Sequence, residues 1–173
     1  MSVELKEKIN LLANHINLKM ETKISYLRLH KGLGSDGKDI EKIMDFYLFC
    51  ENFFNIWERY FDRLSPLINE FNKEGHTDDF KQIYAGILSE QYGKYLQSLQ
   101  NLKVPIFLNE SFELFLNFIN EKQKYFKFYN NNFIVKENKI ESDYDEREYK
   151  FWLDLYEKNV QIESLLKEFG SKN

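Results

Sequence analysis

The sequence predicts an all-α protein: a single-domain bundle of about five long, mostly antiparallel helices. Apolar residues recur three and four positions apart along five stretches, which is the period of a helix with a buried face. Short turns with capping residues, glycine or proline separate most of these stretches, and short connections favour antiparallel neighbours. A length of 173 residues suits one domain, covering residues 1–173.

The most aromatic stretch, Ile40–Leu64, is predicted to be the central helix. Its apolar positions cover most of the helix circumference, and a helix of this kind is normally surrounded by others. Ser65-Pro66 follows directly. Because proline suits the first turn of a helix but not its interior, we expect a kink or a restart there, followed by a short helix to Asn72.

The remaining helices follow the same periodicity. They are predicted over approximately Val3–His30, Asp78–Leu102, Asn109–Asn130 and Ser142–Gly170. Thr77 is expected to cap the second of these, and Gly170 to end the last. The apolar stripe of the last helix is predicted to comprise Trp152, Leu155, Tyr156, Ile162, Leu165, Leu166 and Phe169.

Two connections between these helices differ from simple turns. Val104–Leu108 is predicted to be a short extended connection whose apolar side chains pack onto the bundle. Residues 133–141 are charged and have no clear helical period, so they are interpreted as a linker-like segment before the last helix.

Composition and charge argue against several classes of function. The net charge is −4, so binding to nucleic acid is not expected, although Lys122–Tyr129 interleaves basic and aromatic residues. No apolar run is long enough to cross a membrane. The N-terminal residues lack the apolar centre of a signal peptide, and a cytoplasmic protein is therefore expected. Cys50, the single cysteine, is interpreted as a small core residue.

The glycine-rich turn after the first predicted helix matches parts of two nucleotide-binding motifs. Gly32, Gly34 and Gly37 have dinucleotide-fingerprint spacing, and Gly37-Lys38 resembles the end of a phosphate-binding loop. Both motifs require a preceding strand, whereas a helix is predicted here. Asp39 also stands where the loop needs a hydroxyl residue. We therefore predict no nucleotide cofactor.

No motif for metal binding or catalysis is present either. None of the three histidines has a glutamate three residues before it, and no cysteine and histidine cluster occurs. No spacing singles out a serine or Cys50 as a nucleophile with a base beside it. The sequence thus predicts neither a metal site nor an enzyme.

Two surface patches are candidates for binding another protein. The first is a polar face of the helix over Asp78–Leu102, formed by Gly86, Ser89, Glu90, Gly93 and Gln97. A glycine inside a helix costs about 0.5–1 kcal/mol relative to alanine. Close approach of a partner or ligand would recover part of that cost. The alternative is an ordinary solvent-exposed face.

The second candidate patch is the acidic start of the last helix. It comprises Asp143, Tyr144, Asp145 and Glu146. These residues could dock on a basic surface. The alternative is an ordinary helix start, where negative charge interacts favourably with the helix dipole.

Two hypotheses for the function follow. The first is a non-catalytic helical module that binds another protein, or a further copy of itself. An accessory or inhibitor protein of a phage or mobile element, acting on a host protein, is one form of this hypothesis. The alternative is a bundle that binds a small apolar ligand in an aromatic-lined pocket. Its candidate wall is formed by Phe46, Phe49, Phe53, Trp57 and Tyr84.

Overall fold

The computed structural model describes residues 37–131 and 146–172, and these residues form four long helices that pack together. The helices are α1 (Gly37–Asn72), α2 (Asp78–Gln100), α3 (Asn109–Asn131) and α4 (Glu146–Lys172). No strand occurs in either described range, so the all-α prediction is confirmed. The predicted helix over Val3–His30 and the linker-like segment lie outside the described residues. The predicted count of five helices is therefore not confirmed.

Helix α1 continues through Ser65-Pro66 as one element of 36 residues. The predicted kink is not confirmed, and no separate short helix begins at Pro66. Leu64 and Phe71, on either side of the proline, are both buried. Packing of both halves against the same bundle can offset the hydrogen bond that proline cannot make.

The ends of α2 follow local capping chemistry. The Thr77 side-chain oxygen accepts a hydrogen bond from the Phe80 N–H at 3.2 Å, as predicted for an N-cap residue. Gly75 lies in the preceding turn with a φ of +89°, a conformation that glycine adopts readily. Gly75 therefore turns the chain after α1 ends at Asn72, and Thr77 caps α2, which begins at Asp78.

Two local predictions are wrong. The connection before α3 is not extended, because Ile106–Leu108 forms a turn of 3₁₀ helix. Leu108 packs inward as expected, but Ile106 is 88% exposed. Helix α4 continues through Gly170 to Lys172. Glycine permits a helix to stop but does not force it to, since the stop requires a left-handed backbone.

Neighbouring helices run antiparallel. Two contacts in each pair show the direction, because the residue number rises along one helix as it falls along the other. Helices α1 and α2 meet at Tyr60 with Tyr95 and at Phe71 with Lys81. Helices α2 and α3 meet at Gly86 with Asn130 and at Gly93 with Gln123, and helices α3 and α4 meet at Ser111 with Asp154 and at Glu121 with Arg147. Helix α4 returns to pack against α1. The described bundle is therefore an up-down-up-down arrangement.

The core is a cluster of aromatic rings centred on Phe53 of α1, which is fully buried. The rings around it, with centroids 5.1 to 6.4 Å away, are Phe49, Phe54, Phe112, Phe115, Phe151 and Trp152. Most of these pairs meet edge to face, the arrangement favoured by the quadrupoles of the rings. Tyr60 stacks on Tyr95 of α2 at 5.0 Å. The aromatic stretch of α1 thus contacts rings from each of the other three described helices.

Candidate protein-binding surfaces

Helix α4 has two apolar faces. The inner face packs against α1 and α3, and its buried residues are Phe151, Trp152, Leu155, Asn159 and Ile162. The other face, called here the outer stripe, comprises Tyr149, Leu153, Tyr156 and Val160, which are 37%, 42%, 55% and 47% exposed. The prediction that Tyr156 belongs to the buried stripe is wrong, because the bundle covers the opposite side of the helix.

The outer stripe is narrow and regular. Its residues are separated by steps of four, three and four. At about 100° per residue they fall within an arc of about 60°, and at about 1.5 Å per residue they extend over about 17 Å. A stripe of this width is typical of the seam between two paired helices, whereas a helix packed into a globular core has a wider apolar face.

Charged residues of both signs lie along one side of the outer stripe. Glu146 begins α4, and its Oε1 atom lies 3.1 Å from Lys150 Nζ. Glu157 is exposed beside the stripe. The pair formed by Glu146 and Lys150 is solvated, so it contributes little to folding stability.

The acidic patch predicted at the start of the last helix is only partly described. Glu146 is the first residue of α4 and is exposed. Asp143, Tyr144 and Asp145 lie outside the described residues. The structure therefore places one residue of this predicted patch at the N-terminal end of the outer stripe.

The glycine-containing face of α2 meets another helix of the same chain. A Cβ atom added to Gly86 would lie 2.8 Å from Asn130 Oδ1, and one added to Gly93 would lie 2.7 Å from Gln123 Nε2. Both neighbours belong to α3. The close approach that we considered for a partner or ligand is thus made within the chain.

The rest of this predicted patch faces outward to different degrees. Glu90 is exposed and pairs with Lys94 at 2.7 Å. Gln97 is also exposed, and Ser89 is half-buried. Protein binding through these three residues stays a prediction.

The residues predicted to line an aromatic pocket lie in different parts of the bundle. Phe46, Phe49 and Phe53 are buried, and the rings of Phe49 and Phe53 lie 5.7 Å apart. Trp57 is half-buried and its ring lies 5.7 Å from that of Trp152.

Tyr84, the fifth pocket candidate, stacks on Phe80 at 4.4 Å near the turn between α1 and α2. Phe46 lies in the opposite half of α1, where its ring stacks on Phe107 at 6.3 Å. The structure therefore brings Phe49 and Phe53 together but does not bring Tyr84 to them.

A polar cleft that the sequence analysis missed lies where α2 ends and α3 begins. Its volume is about 470 Å³, and its polar lining residues are Gln100, Asn109, Glu113, Asn117 and Asn120. Phe112 and Leu116 contribute apolar surface. Carboxamides both donate and accept hydrogen bonds, and the Glu113 carboxylate accepts them, so the lining can bind a polar group that donates hydrogen bonds. The polar residues from Asn109 to Asn120 follow one another at steps of four, four and three, a spacing too common in solvated helices to indicate a cleft from sequence.

Cys50 is a free cysteine in the core of the bundle. Cys50 is completely buried, and burial raises the pKa of its thiol well above the ordinary value. Because the thiolate is the reactive form, this environment suppresses nucleophilic chemistry at Cys50. In residues 37–131 and 146–172, no group of three or more histidine, cysteine, aspartate or glutamate side chains is arranged to hold a metal ion.

Comparison of the chain with protein-family models, with curated proteins and with solved structures finds no match in any of the three. Among the described helices, none has a stretch long and apolar enough to cross a bilayer.

Proposed function

We propose that this protein is a non-catalytic helical module that binds another protein through the outer stripe of α4. The observation that carries the proposal is the row of four exposed apolar side chains on a helix whose opposite face is already buried. Aromatic and large aliphatic side chains are the usual anchors of protein interfaces. A row of exposed apolar side chains favours aggregation, and a protein-binding role would explain why such a row is present.

Affinity capture from extracts of the native host tests this proposal. We expect the wild-type chain to retain one or more proteins that a Leu153→Asp, Val160→Asp variant does not retain. Both side chains are about half exposed, so the substitutions leave the core intact. Mass spectrometry of the retained proteins and circular dichroism of the variant provide the measurements.

The matched control places the same substitutions on another helix. Ile83 and Ile87 of α2 are 64% and 40% exposed and lie four residues apart. Their replacement by aspartate should leave the retained proteins unchanged. Equal retention by wild type and by the α4 variant would overturn the proposal that the outer stripe is the binding surface.

An inhibitor or accessory protein acting on a host protein is a narrower form of the same proposal. In that form the acidic residues at the start of α4 contribute to the contact. Reversing the charge at Asp143, Asp145 and Glu146 should then weaken retention of the partner. Unchanged retention after charge reversal would contradict a role for the acidic residues and leave the role of the outer stripe intact.

A further inference from the structure

We infer that, when no other protein is bound, the outer stripe of α4 pairs with the outer stripe of a second copy of this chain, the two helices running antiparallel. The inference goes beyond the proposed function, because it assigns an occupant to the stripe before a different protein binds there. Two properties of the described residues of α4 support it: the order of the side chains along the stripe and the signs of the charges beside them.

The order of the side chains suits an antiparallel pair. Steps of four, three and four residues are the spacing of the a and d positions in a coiled coil. If Tyr149 lies level with Val160 of the second copy, then Leu153 lies level with Tyr156. Every layer of the seam then joins one aromatic ring to one aliphatic side chain, and large and small side chains facing each other interdigitate. A parallel pair would instead set each tyrosine against itself.

The charges beside the stripe are self-complementary in the same register. Lys150 and Glu157 are both exposed, lie on one side of the stripe and are seven residues apart. The two-fold axis of an antiparallel pair places this side of one copy beside the same side of the other. Lys150 of each copy would then lie within about 3 Å, along the helix axis, of the level of Glu157 in the other. Glu157 has no ion-pair partner among residues 37–131 and 146–172, and the second copy would supply one.

The two sides of the stripe also favour the antiparallel direction. Lys150 and Glu157 lie on one side, whereas Trp152 and Asn159 lie on the other, where the bundle buries them. In a parallel pair the charged side of one helix would face the side that carries Trp152 in the other. Lys150 and Glu157 of different copies therefore meet in the antiparallel pair and not in the parallel one.

Like charges do not meet directly at the ends of this seam. Glu146 would lie level with Glu163 of the second copy, but the two positions are about 100° apart around α4 and lie on opposite sides of the stripe. Glu146 is 3.1 Å from Lys150 of its own helix. Burial and, after it, the charge of Glu163 raise the pKa of Tyr47, so Glu163 lies near α1 of its own chain.

A seam of this length predicts a weak dimer. It extends over about 17 Å of helix, and interfaces that bury less than about 1,200 Å² are typical of transient complexes. We expect a dissociation constant of about 10–100 μM. Such a pair covers the apolar side chains at high concentration and leaves the stripe available to a protein that binds it more tightly.

Exchange of charges between copies tests the pairing. Lys150→Glu and Glu157→Lys should each weaken association about tenfold at low salt, because each replaces two attractive pairs by two repulsive ones. A mixture of the two single variants should associate as well as the wild type, since every charge of one then meets the opposite charge of the other. The double variant Lys150→Glu, Glu157→Lys should also associate. Sedimentation velocity measures the single chains, and fluorescence anisotropy of labelled Lys150→Glu measures its binding to Glu157→Lys.

Control variants separate the seam from the rest of the surface. Leu153→Asp should abolish association, because it places a charge in the seam, whereas Ile83→Asp on α2 should not change it. Glu90 and Lys94 of α2 are exposed and carry the same two charges. Glu90→Lys and Lys94→Glu should therefore leave association unchanged. Circular dichroism confirms that each variant keeps its helices.

Three results would overturn the inference: a monomer at every concentration up to about 500 μM, a dimer that Leu153→Asp does not dissociate, or a mixture of the two single variants that associates no better than either alone. Stripe-dependent capture of a host protein alongside any of them would leave the proposed function intact. A dimer with the expected charge dependence, but without stripe-dependent capture of another protein, would overturn the proposed function and leave this inference intact.

Discussion

Gly86 and Gly93 allow polar side chains of α3 to lie directly on the backbone of α2. Asn130 also contacts α2 through its backbone, because its carbonyl oxygen accepts a hydrogen bond from Gln82 Nε2 at 2.5 Å. The two glycines are seven residues apart, and so are Asn130 and Gln123. Close packing of α2 and α3 therefore recurs once in about two turns of helix.

The two glycines should respond differently to alanine. At Gly93 the added Cβ would meet Gln123 Nε2 at 2.7 Å but Cδ at 3.5 Å, so turning the end of a long side chain relieves the contact. Gly93→Ala should therefore raise the free energy of unfolding by up to about 1 kcal/mol through helix propensity.

At Gly86 the added Cβ would meet both Oδ1 and Cγ of Asn130, at 2.8 and 3.1 Å. The short asparagine side chain must then change its position, and Gly86→Ala should lower the free energy of unfolding. The double variant Gly86→Ala, Asn130→Ala should recover much of that loss. Urea unfolding of the variants measures both effects, and equal responses at the two glycines would contradict this explanation.

Asn159 places a polar group among apolar side chains on the inner face of α4. It is 4% exposed, and its side-chain Oδ1 atom has no hydrogen-bond partner. An unpaired buried acceptor costs about 1–3 kcal/mol. Asn159→Leu keeps the same branching and number of side-chain heavy atoms, although the leucine is larger, and it should raise the free energy of unfolding by about 1 kcal/mol after allowance for imperfect packing.

Thermal and urea unfolding measure the effect of this substitution. Asn55→Leu, on an exposed position of α1, is the control and should change stability little. A loss of stability in Asn159→Leu would mean that the amide group makes interactions worth more than the unpaired oxygen costs.

At the scale of single elements, Thr77 shows how much of a helix boundary is local. Its side chain caps α2 while Asp78 and Asp79 occupy the first turn. Thr77→Ala should lower the free energy of unfolding by about 1 kcal/mol, because the Phe80 N–H loses its acceptor. Thr77→Ser keeps the oxygen and should retain most of the stability. If Thr77→Ser lowered the free energy of unfolding as much as Thr77→Ala, the threonine methyl group, and not the capping oxygen, would stabilise this end of the helix.

Helix α4 shows where local reasoning about an element fails. Its apolar residues are numerous enough to form two stripes, and periodicity alone assigned Tyr156 to the buried one. The four-three-four spacing from Tyr149 to Val160 was visible in the sequence, but spacing does not say which side the neighbouring helices cover. The prediction that Ile106 packs onto the bundle is wrong for a related reason. The tight 3₁₀ turn over Ile106–Leu108 directs the Ile106 side chain outward.

For the whole molecule, burial of tyrosine makes stability sensitive to alkaline pH. Burial, with a smaller contribution from Glu148, raises the pKa of Tyr92 and Tyr95 above the ordinary value. A folded-state pKa above the unfolded one means that the stabilisation is complete below the unfolded pKa, about 10, and is lost as pH rises above it.

The free energy of unfolding should therefore fall steeply between a pH of about 10 and about 12. Urea unfolding across this range measures the slope, and tyrosinate absorbance should appear together with unfolding. A Tyr92→Phe, Tyr95→Phe variant should show a shallower slope, and Tyr156→Phe, at an exposed position, is the matched control. Ionisation of the buried tyrosines without loss of helix would contradict this prediction.

The sequence by itself determined the helical class, the helix starts at Asp78 and Asn109, and the aromatic stretch that forms the core. These depend on residues close together in the chain: a cap and the backbone it binds, or apolar side chains one turn apart. One binding candidate within the described range, Glu146, also lies beside the surface that we propose.

Only the tertiary structure decided what covers each helix. Neighbouring helices place Asn159 inside and Tyr156 outside, bring α3 onto the glycines of α2, and form the polar cleft beside Asn109. A sequence pattern specifies the spacing of side chains around one helix axis, whereas exposure depends on which other helices pack against it. The outer stripe of α4 is exposed because α1 and α3 cover only the opposite face of this helix.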